Sequence, residues 1–209
     1  MKGFVTIILK DLLRKVEEKP DDLSKEDLDK IISGFRCPFN NDVEDFLHNK
    51  AIIFEKQSIS ATHLVFASYK EKLVLVGYFT LASKYFHIDI KGLNSKWRHR
   101  INRFGSYDGK LKKRIIGAPL IGQIGKNFEN NYNKLIRGDE LLKIACDMVR
   151  KSQAIVGGKL VYLECEDKPK LVGFYEDNGF IVFGKRCLEE KEDRFFKGEY
   201  LLQMMKYLD

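Results

Sequence analysis

The stretch LIGQIGKNFENNYNKLIRGDELLKIA, residues 120–145, decides the fold class. It runs from a β-rich segment through an asparagine-rich loop to Gly138, then into apolar residues at helical spacing. Ile115–Ile124 reads as a strand, and Pro119 points to a bulge or an edge position. Leu141, Leu142, Ile144, Ala145, Met148 and Val149 share one face, predicting an amphipathic helix over 139–152. A loop that enters a helix N-terminus offers unpaired backbone N–H groups and the positive end of the dipole. Such a place can hold a pyrophosphate without using side chains. Gly138 would let the backbone approach closely, while Lys134 and Arg137 add positive charge. An ordinary helix start in a solvated loop fits the same spacing. The loop is neither a Walker P-loop nor a G-x-G-x-x-G fingerprint, because Gly125-Lys126 is followed by Asn127 and lacks the earlier glycine.

Downstream, LECEDKPKLVGFYEDNGF (163–180) gives a strand, an acidic turn, a short helix and an Asn-Gly turn. Tyr175 on that helix is a reasonable general acid for a leaving thiolate, and equally a core tyrosine with a wet tip. Further strands follow in FIVFG and YLLQMMKYL. Upstream, Thr62–Tyr69 and Leu73–Ala82 form a hairpin around Lys70-Glu71-Lys72. Before it lie three helical stretches. Leu12, Leu13 and Val16 keep a helical period that Pro20 ends; Ser24 with Asp27 starts a second helix; Asp42 could cap a third over 43–54. Phe4–Leu9 reads as a short strand or a helix start. The element order predicts an α/β fold, a mixed twisted central sheet with helices on both faces.

The two chemistry-bearing segments together resemble the GNAT acetyltransferase superfamily. Its R/Q-x-x-G-x-G/A loop is matched by NKLIRGDELL, with Asn133 at the first position, Ile136 at the first glycine and Gly138 at the second. Its FYE-x-x-GF signature is matched in full by Phe174–Phe180. The run FRCPFNNDVEDFLHNKA (35–51) and the hairpin bearing VGYFTLAS narrow the likeness to the acetyltransferase toxins of toxin–antitoxin pairs, which modify aminoacyl-tRNA. The resemblance covers about residues 35–208. It divides the chain into a helical extension, 1–34, and a GNAT domain, 35–209, with a basic insert at about 84–116.

What the resemblance implies is transfer of an acetyl group from acetyl-coenzyme A (acetyl-CoA) to a primary amine by direct attack. The acceptor would be the amino acid of charged tRNA. Coenzyme contacts would come from Ile124, Gly125 and Lys126, and from Asn133, Lys134, Leu135, Ile136, Arg137, Gly138 and Asp139. Tyr175 would be catalytic, no metal is needed, and an antitoxin protein is the implied partner. A homodimer is the assembly it allows, and the cytoplasm is the expected compartment. Three alternatives stay open: a protein-lysine acceptor, a small-amine acceptor, and a non-enzymatic nucleic-acid-binding protein on the same fold. The altered loop favours the last. Among carboxylates, Glu164, Glu166 and Asp167 cluster at a strand end where a base could sit.

The charge distribution bears on the acceptor. The chain carries a net +7, and residues 84–116 hold ten basic residues against Asp89 and Asp108. All of the excess positive charge therefore lies in this segment. WRHR at 97–100 and Phe104 mix aromatic with cationic groups, which suits phosphate contact with base stacking, and Lys112, Lys113 and Arg114 are the candidate tRNA contacts. A solvated face fits the same run.

Composition sets the outer bounds. At 209 residues with 44% hydrophobic and 32% charged, the chain can bury a real core and is not disordered. Phe4–Leu9 is too short an apolar run for a membrane span or a signal peptide. The four cysteines form no C-x-x-C pair and are read as free thiols, and the four histidines share no ligand spacing.

Overall fold

A computed structural model describes residues 3–188 and 199–209. Among the described residues eight strands form one mixed sheet; numbered in chain order, they lie in the order first, second, third, fifth, sixth, eighth, seventh, with the fourth paired to the fifth. The chain divides into two compact units, residues 1–82 with 122–145, and residues 83–121 with 146–209.

The first unit opens with β1 (Phe4–Ile8), which pairs antiparallel with β2 (Ala61–Tyr69). Residues 1–34 are thus not wholly helical. The strand precedes α1 (Leu9–Glu18) and α2 (Lys25–Ser33) because Val5 and Ile7 are branched residues that complete a sheet edge. Ser24 caps α2, accepting from the Asp27 N–H at 3.1 Å and donating to its carboxylate at 2.8 Å. The next helix is continuous but irregular: α3 (Asn41–Asp45), a π-helical turn over Phe46–Lys50, and α4 (Ala51–Lys56). Its cap is Asn40, whose side chain accepts from Asp42 and Val43, so Asp42 falls in the first turn instead of capping it. β2 turns into β3 (Lys72–Ile88) through Lys70 and Glu71, both with positive φ, as a two-residue hairpin demands. The core packs Leu9, Leu28, Phe46 and Leu47 from the helices, and Phe35 from the segment after α2, against Leu64, Phe66 and Tyr78 from the strands.

Two glycines mark close approaches in this unit. A Cβ on Gly77 would lie 2.8 Å from the Gly125 carbonyl oxygen and 3.0 Å from Leu141; one on Gly125 would lie 2.6 Å from Val43.

His63 is a buried polar group in this unit, stacked flat on Phe79 at 4.8 Å, and its Nδ1 has no partner. Burial pushes its pKa down to about 4, opposed only by the Ala61 backbone. The neutral ring is therefore the folded form, and its contribution is complete above about pH 6.5 and lost as pH falls toward 4. Linkage with those two values gives a loss of about 2 kcal/mol at pH 5. Urea melts of wild type and His63→Phe at pH 7 and pH 5 should show the loss in wild type alone; an equal loss in both would remove His63 as the cause.

The second unit carries the rest of β3, then α5 (Ser95–Phe104), β4 (Ser106–Asp108) and the start of β5 (Lys113–Lys126). The basic segment is thus ordered: helix α5 buries Trp97 and Ile101, one turn apart, against Phe86, Ile116, Tyr162 and Met205. Helix α6 (Gly138–Val156) runs from the first unit into this one and leads to β6 (Leu160–Cys165). Then come α7 (Pro169–Asp177), β7 (Ile181–Cys187) and β8 (Tyr200–Tyr207). β6 pairs in parallel with β5 only at Leu120↔Tyr162 and Ile121↔Leu163, while β8 runs antiparallel to both β6 and β7. Pro119 sits in an interior strand and not at an edge, immediately before the first of those parallel pairs.

Candidate functional site

In the first unit, the end of β5 leads into the loop that the sequence marks for a pyrophosphate. Asn127 anchors it. Although an Asn in a run of polar residues gives no sequence signal, this one is 2% exposed and satisfies four backbone groups. Its side-chain oxygen accepts from Arg36 and Glu129, its amide donates to Leu75, and its own N–H donates to Val76. A 3₁₀ stretch, Glu129–Lys134, follows, with Asn130 and Asn131 at φ 49° and 59°. Asparagine tolerates that left-handed region better than most residues. Lys126 then reaches over the loop to the Asn133 carbonyl at 3.2 Å.

Ile136 stands where the family pattern has a glycine, and its side chain is 1% exposed, buried in the core below the loop. The substituted side chain thus points away from the solvent face, where a phosphate would approach. Lys134 and Arg137 are exposed, and Leu135 donates its N–H to Tyr132. The helix end is not bare. Glu140 accepts the Arg137 N–H at 2.8 Å, and the Arg137 guanidinium grips Asp139 at 2.6 and 3.0 Å. That grip holds the Asp139 carboxyl below the usual range and raises Arg137. Ile124, Gly125, Lys126 and Asn133–Asp139 therefore come together as one element of this unit. Gly125 has a packing duty as well, since Val43 occupies the space a side chain would take.

Beside this loop is an arrangement the sequence reading did not single out. The Gln123 N–H donates to the Thr80 hydroxyl at 2.9 Å, and its side chain donates to Asp42 at 2.7 Å. Asp42 also faces Lys50 at 3.8 Å, and Lys50 pairs with Asp45 at 2.9 Å. Partners 81 residues apart leave no local pattern to read.

In the second unit, α7 carries the FYEDNGF signature. The last four residues of that motif are a helix stop. Gly179 has φ 81°, its N–H returns to Glu176, and the Phe180 N–H returns to Tyr175 at 3.0 Å. Tyr175 is 6% exposed, set edge-on to Phe174 and Phe180. Its hydroxyl has no hydrogen-bond partner among the described residues. Burial pushes this phenol well above its ordinary value, with Cys165 adding to the rise.

The carboxylates at the end of β6 are all engaged. Glu164 accepts from Arg186 at 2.6 Å and Gln203 at 2.9 Å, Glu166 pairs with Lys168 at 2.7 Å, and Asp167 accepts from the Tyr200 hydroxyl at 2.6 Å. No free base stands out among them.

The basic segment differs from its sequence reading at two side chains, Trp97 and Arg114. Trp97 is buried, so it is not a stacking platform for bases. Arg100 lies over the Tyr207 ring at 3.8 Å, near Trp97 at 5.2 Å. Lys112 and Lys113 are exposed, whereas Arg114 is half-buried, stacked on Tyr107 at 5.5 Å and donating to the Gly105 carbonyl at 3.3 Å. Among the described residues no group of His, Cys, Asp and Glu could hold a metal ion, and no helix is long and apolar enough to cross a membrane. Cys37, Cys146 and Cys165 are buried free thiols, and Cys187 is an exposed one.

No protein-family model matches the chain, and no curated protein matches it. Solved structures do. AtaT complexed with acetyl-methionyl-tRNAfMet is 18% identical, with 96% of this chain and 94% of that one covered at a TM-score of 0.57. A tyrosine-to-phenylalanine mutant of KacT is 15% identical, covering 97% and 94% at a TM-score of 0.58. A tyrosine-to-phenylalanine mutant of the AtaT toxin, bound to the C-terminus of the antitoxin AtaR and acetyl-CoA, is 15% identical, covering 98% and 92% at 0.56. Identities this low speak for the fold alone. The chain shares the fold of AtaT and KacT.

Proposed function

We infer that this protein transfers an acetyl group from acetyl-CoA to a primary amine, with the amino acid of charged tRNA as acceptor. The observation that carries the reading is the turn from β5 into α6. Its one bulky departure from the family pattern, Ile136, is buried in the core, leaving backbone amides at a helix start for a pyrophosphate. The fold shared with AtaT, whose complex contains acetyl-methionyl-tRNAfMet, supports the acceptor. An antitoxin protein as partner and a cytoplasmic site of action belong to the same reading.

In the proposed reaction the neutral amine attacks the thioester carbonyl carbon, a C–N bond forms and the C–S bond breaks. The amine proton passes to solvent or a nearby carboxylate, and the coenzyme leaves as thiolate or thiol. Holding the two reactants together supplies most of the acceleration. Tyr175 serves the departing sulfur as a hydrogen-bond donor. Because burial raises its pKa, it keeps its proton throughout the physiological range and gives it up reluctantly.

One observation favours the rival reading, a nucleic-acid-binding protein without turnover: Glu140 already occupies the Arg137 N–H. Titration calorimetry separates the two. Acetyl-CoA should bind the wild type, and Gly138→Glu should weaken binding at least about tenfold by adding bulk and negative charge beside the phosphates. Equal affinity in a folded variant would unseat the loop, and no binding by wild type would leave the rival. Labelled acetyl-CoA offered with charged tRNA, a lysine peptide or a polyamine then identifies the acceptor.

A further inference from the structure

The second unit contains a cavity of about 540 Å³ at the C-terminal ends of α5 and α6, lined by Arg103, Phe104, Arg150, Lys159, Tyr207 and Asp209 among others. Its volume lies in the range of small-molecule sites and exceeds what one nucleotide needs. We propose that this cavity receives one unstacked nucleotide of an RNA, its base against Phe104 and its phosphates between Arg103 and Lys159. The proposal rests on the RNA-linked acceptor reading above and adds to it a binding site that the transfer chemistry does not use.

Three features support it. First, the lining joins an aromatic pair, Phe104 and Tyr207 with centroids 6.2 Å apart, to three cations. That is the combination by which single-stranded nucleic acid is held: flat rings for bases, positive charge for the backbone. Second, Asp209 is the one acidic residue in the lining, and Arg100 faces it at 3.8 Å while lying over Tyr207. Arg150 is tied to Asp147 at 2.6 Å, which leaves Arg103 and Lys159, both exposed, to supply the attraction. Third, the cavity continues a cationic helix face. Helix α5 has no acidic residue, buries Trp97 and Ile101, and exposes Lys96, Arg98, His99 and Arg103. A backbone following that face ends at the cavity mouth. Gly157 and Gly158 also line the cavity, at φ 84° and 98°, where other residues are strained.

The test is fluorescence anisotropy of labelled uncharged tRNA and of a single-stranded ten-nucleotide RNA over a salt series. Acetyl-CoA affinity is measured on the same proteins. Arg103→Glu with Lys159→Glu changes two exposed side chains and should weaken both RNAs at least about tenfold, with the log–log salt slope falling by about two. Phe104→Ala, its folding checked by thermal melting, should weaken the ten-nucleotide RNA about tenfold with the slope unchanged, since stacking releases no counterions. Acetyl-CoA affinity should be unaltered in all. RNA affinity and slope equal to wild type in the charge-reversal variant would overturn the cavity. So would displacement of RNA by polyaspartate as effectively as by unlabelled RNA, which would make the surface a general polyanion patch. A wild type that binds acetyl-CoA but not RNA overturns this proposal and leaves the coenzyme reading standing. Cavity-dependent RNA binding without acetyl-CoA binding does the reverse.

Discussion

Replacing Tyr175 with phenylalanine is expected to lower the acetyl-transfer rate constant about 10²–10³-fold, with acetyl-CoA affinity within about twofold of wild type. The magnitude is that of removing one preorganised donor from a site where negative charge develops. The stability cost should be small. The hydroxyl has no partner among the described residues, and the ring keeps its edge contacts with Phe174 and Phe180. A fall in turnover can therefore be separated from unfolding. Single-turnover kinetics with saturating acetyl-CoA, beside a thermal melt, would measure both. A decrease of under about threefold would return Tyr175 to a packing role.

The second large effect is structural and begins away from the loop. Gly77→Ala is expected to destabilise the protein by about 3 kcal/mol, because the new Cβ would meet a backbone oxygen, that of Gly125, at 2.8 Å. A side-chain end could rotate aside; a strand carbonyl cannot without moving its neighbours. Gly125 and Lys126 lead directly into the loop proposed for the coenzyme, so on that reading the same variant should lose acetyl-CoA affinity even under conditions where it remains folded. Urea denaturation would give the stability change, and calorimetry the affinity. A midpoint within about 0.5 kcal/mol of wild type would show that β3 and β5 tolerate the extra carbon. Gly125→Ala should cost less, about 1–3 kcal/mol, since its obstacle is the Val43 side chain.

Segments with strong local patterns were legible from sequence. The strand–loop–helix at 120–145 and the hairpin around Lys70 and Glu71 are spelled by apolar period and turn residues, and both are found as read. Ser24 works the same way, since a cap and its third neighbour lie within one turn. The failures share one physical origin, dependence on a distant partner. Phe4–Ile8 reads as a short strand or a helix start, and the edge offered by residues 63–67 decides for the strand. Trp97 sits in a run of arginines, yet tertiary burial places it in the core and leaves the cations outside. Pro119 reads as a bulge or an edge position; its strand lies inside the sheet, and the parallel pairing with β6 starts one residue later, at Leu120. Asn127 and the Gln123–Asp42 bond close contacts across the chain and have no local signature. Within the FYEDNGF motif, the glycine and the last phenylalanine answer to helix termination and not to chemistry.

The acidic pair at the start of α6 has a consequence for how an anion would be received there. Glu140 and Asp139 already answer the Arg137 amide and guanidinium, so the free protein carries its own stand-in for a phosphate. On the proposed reading, a coenzyme pyrophosphate arriving here would compete with these carboxylates for Arg137. Dissolved salt weakens the incoming contact and the displaced one alike. Under that reading, an anion able to reach past the two carboxylates to the amides of the α6 start would be favoured over one of equal charge that could not, so reach and shape would count beside charge.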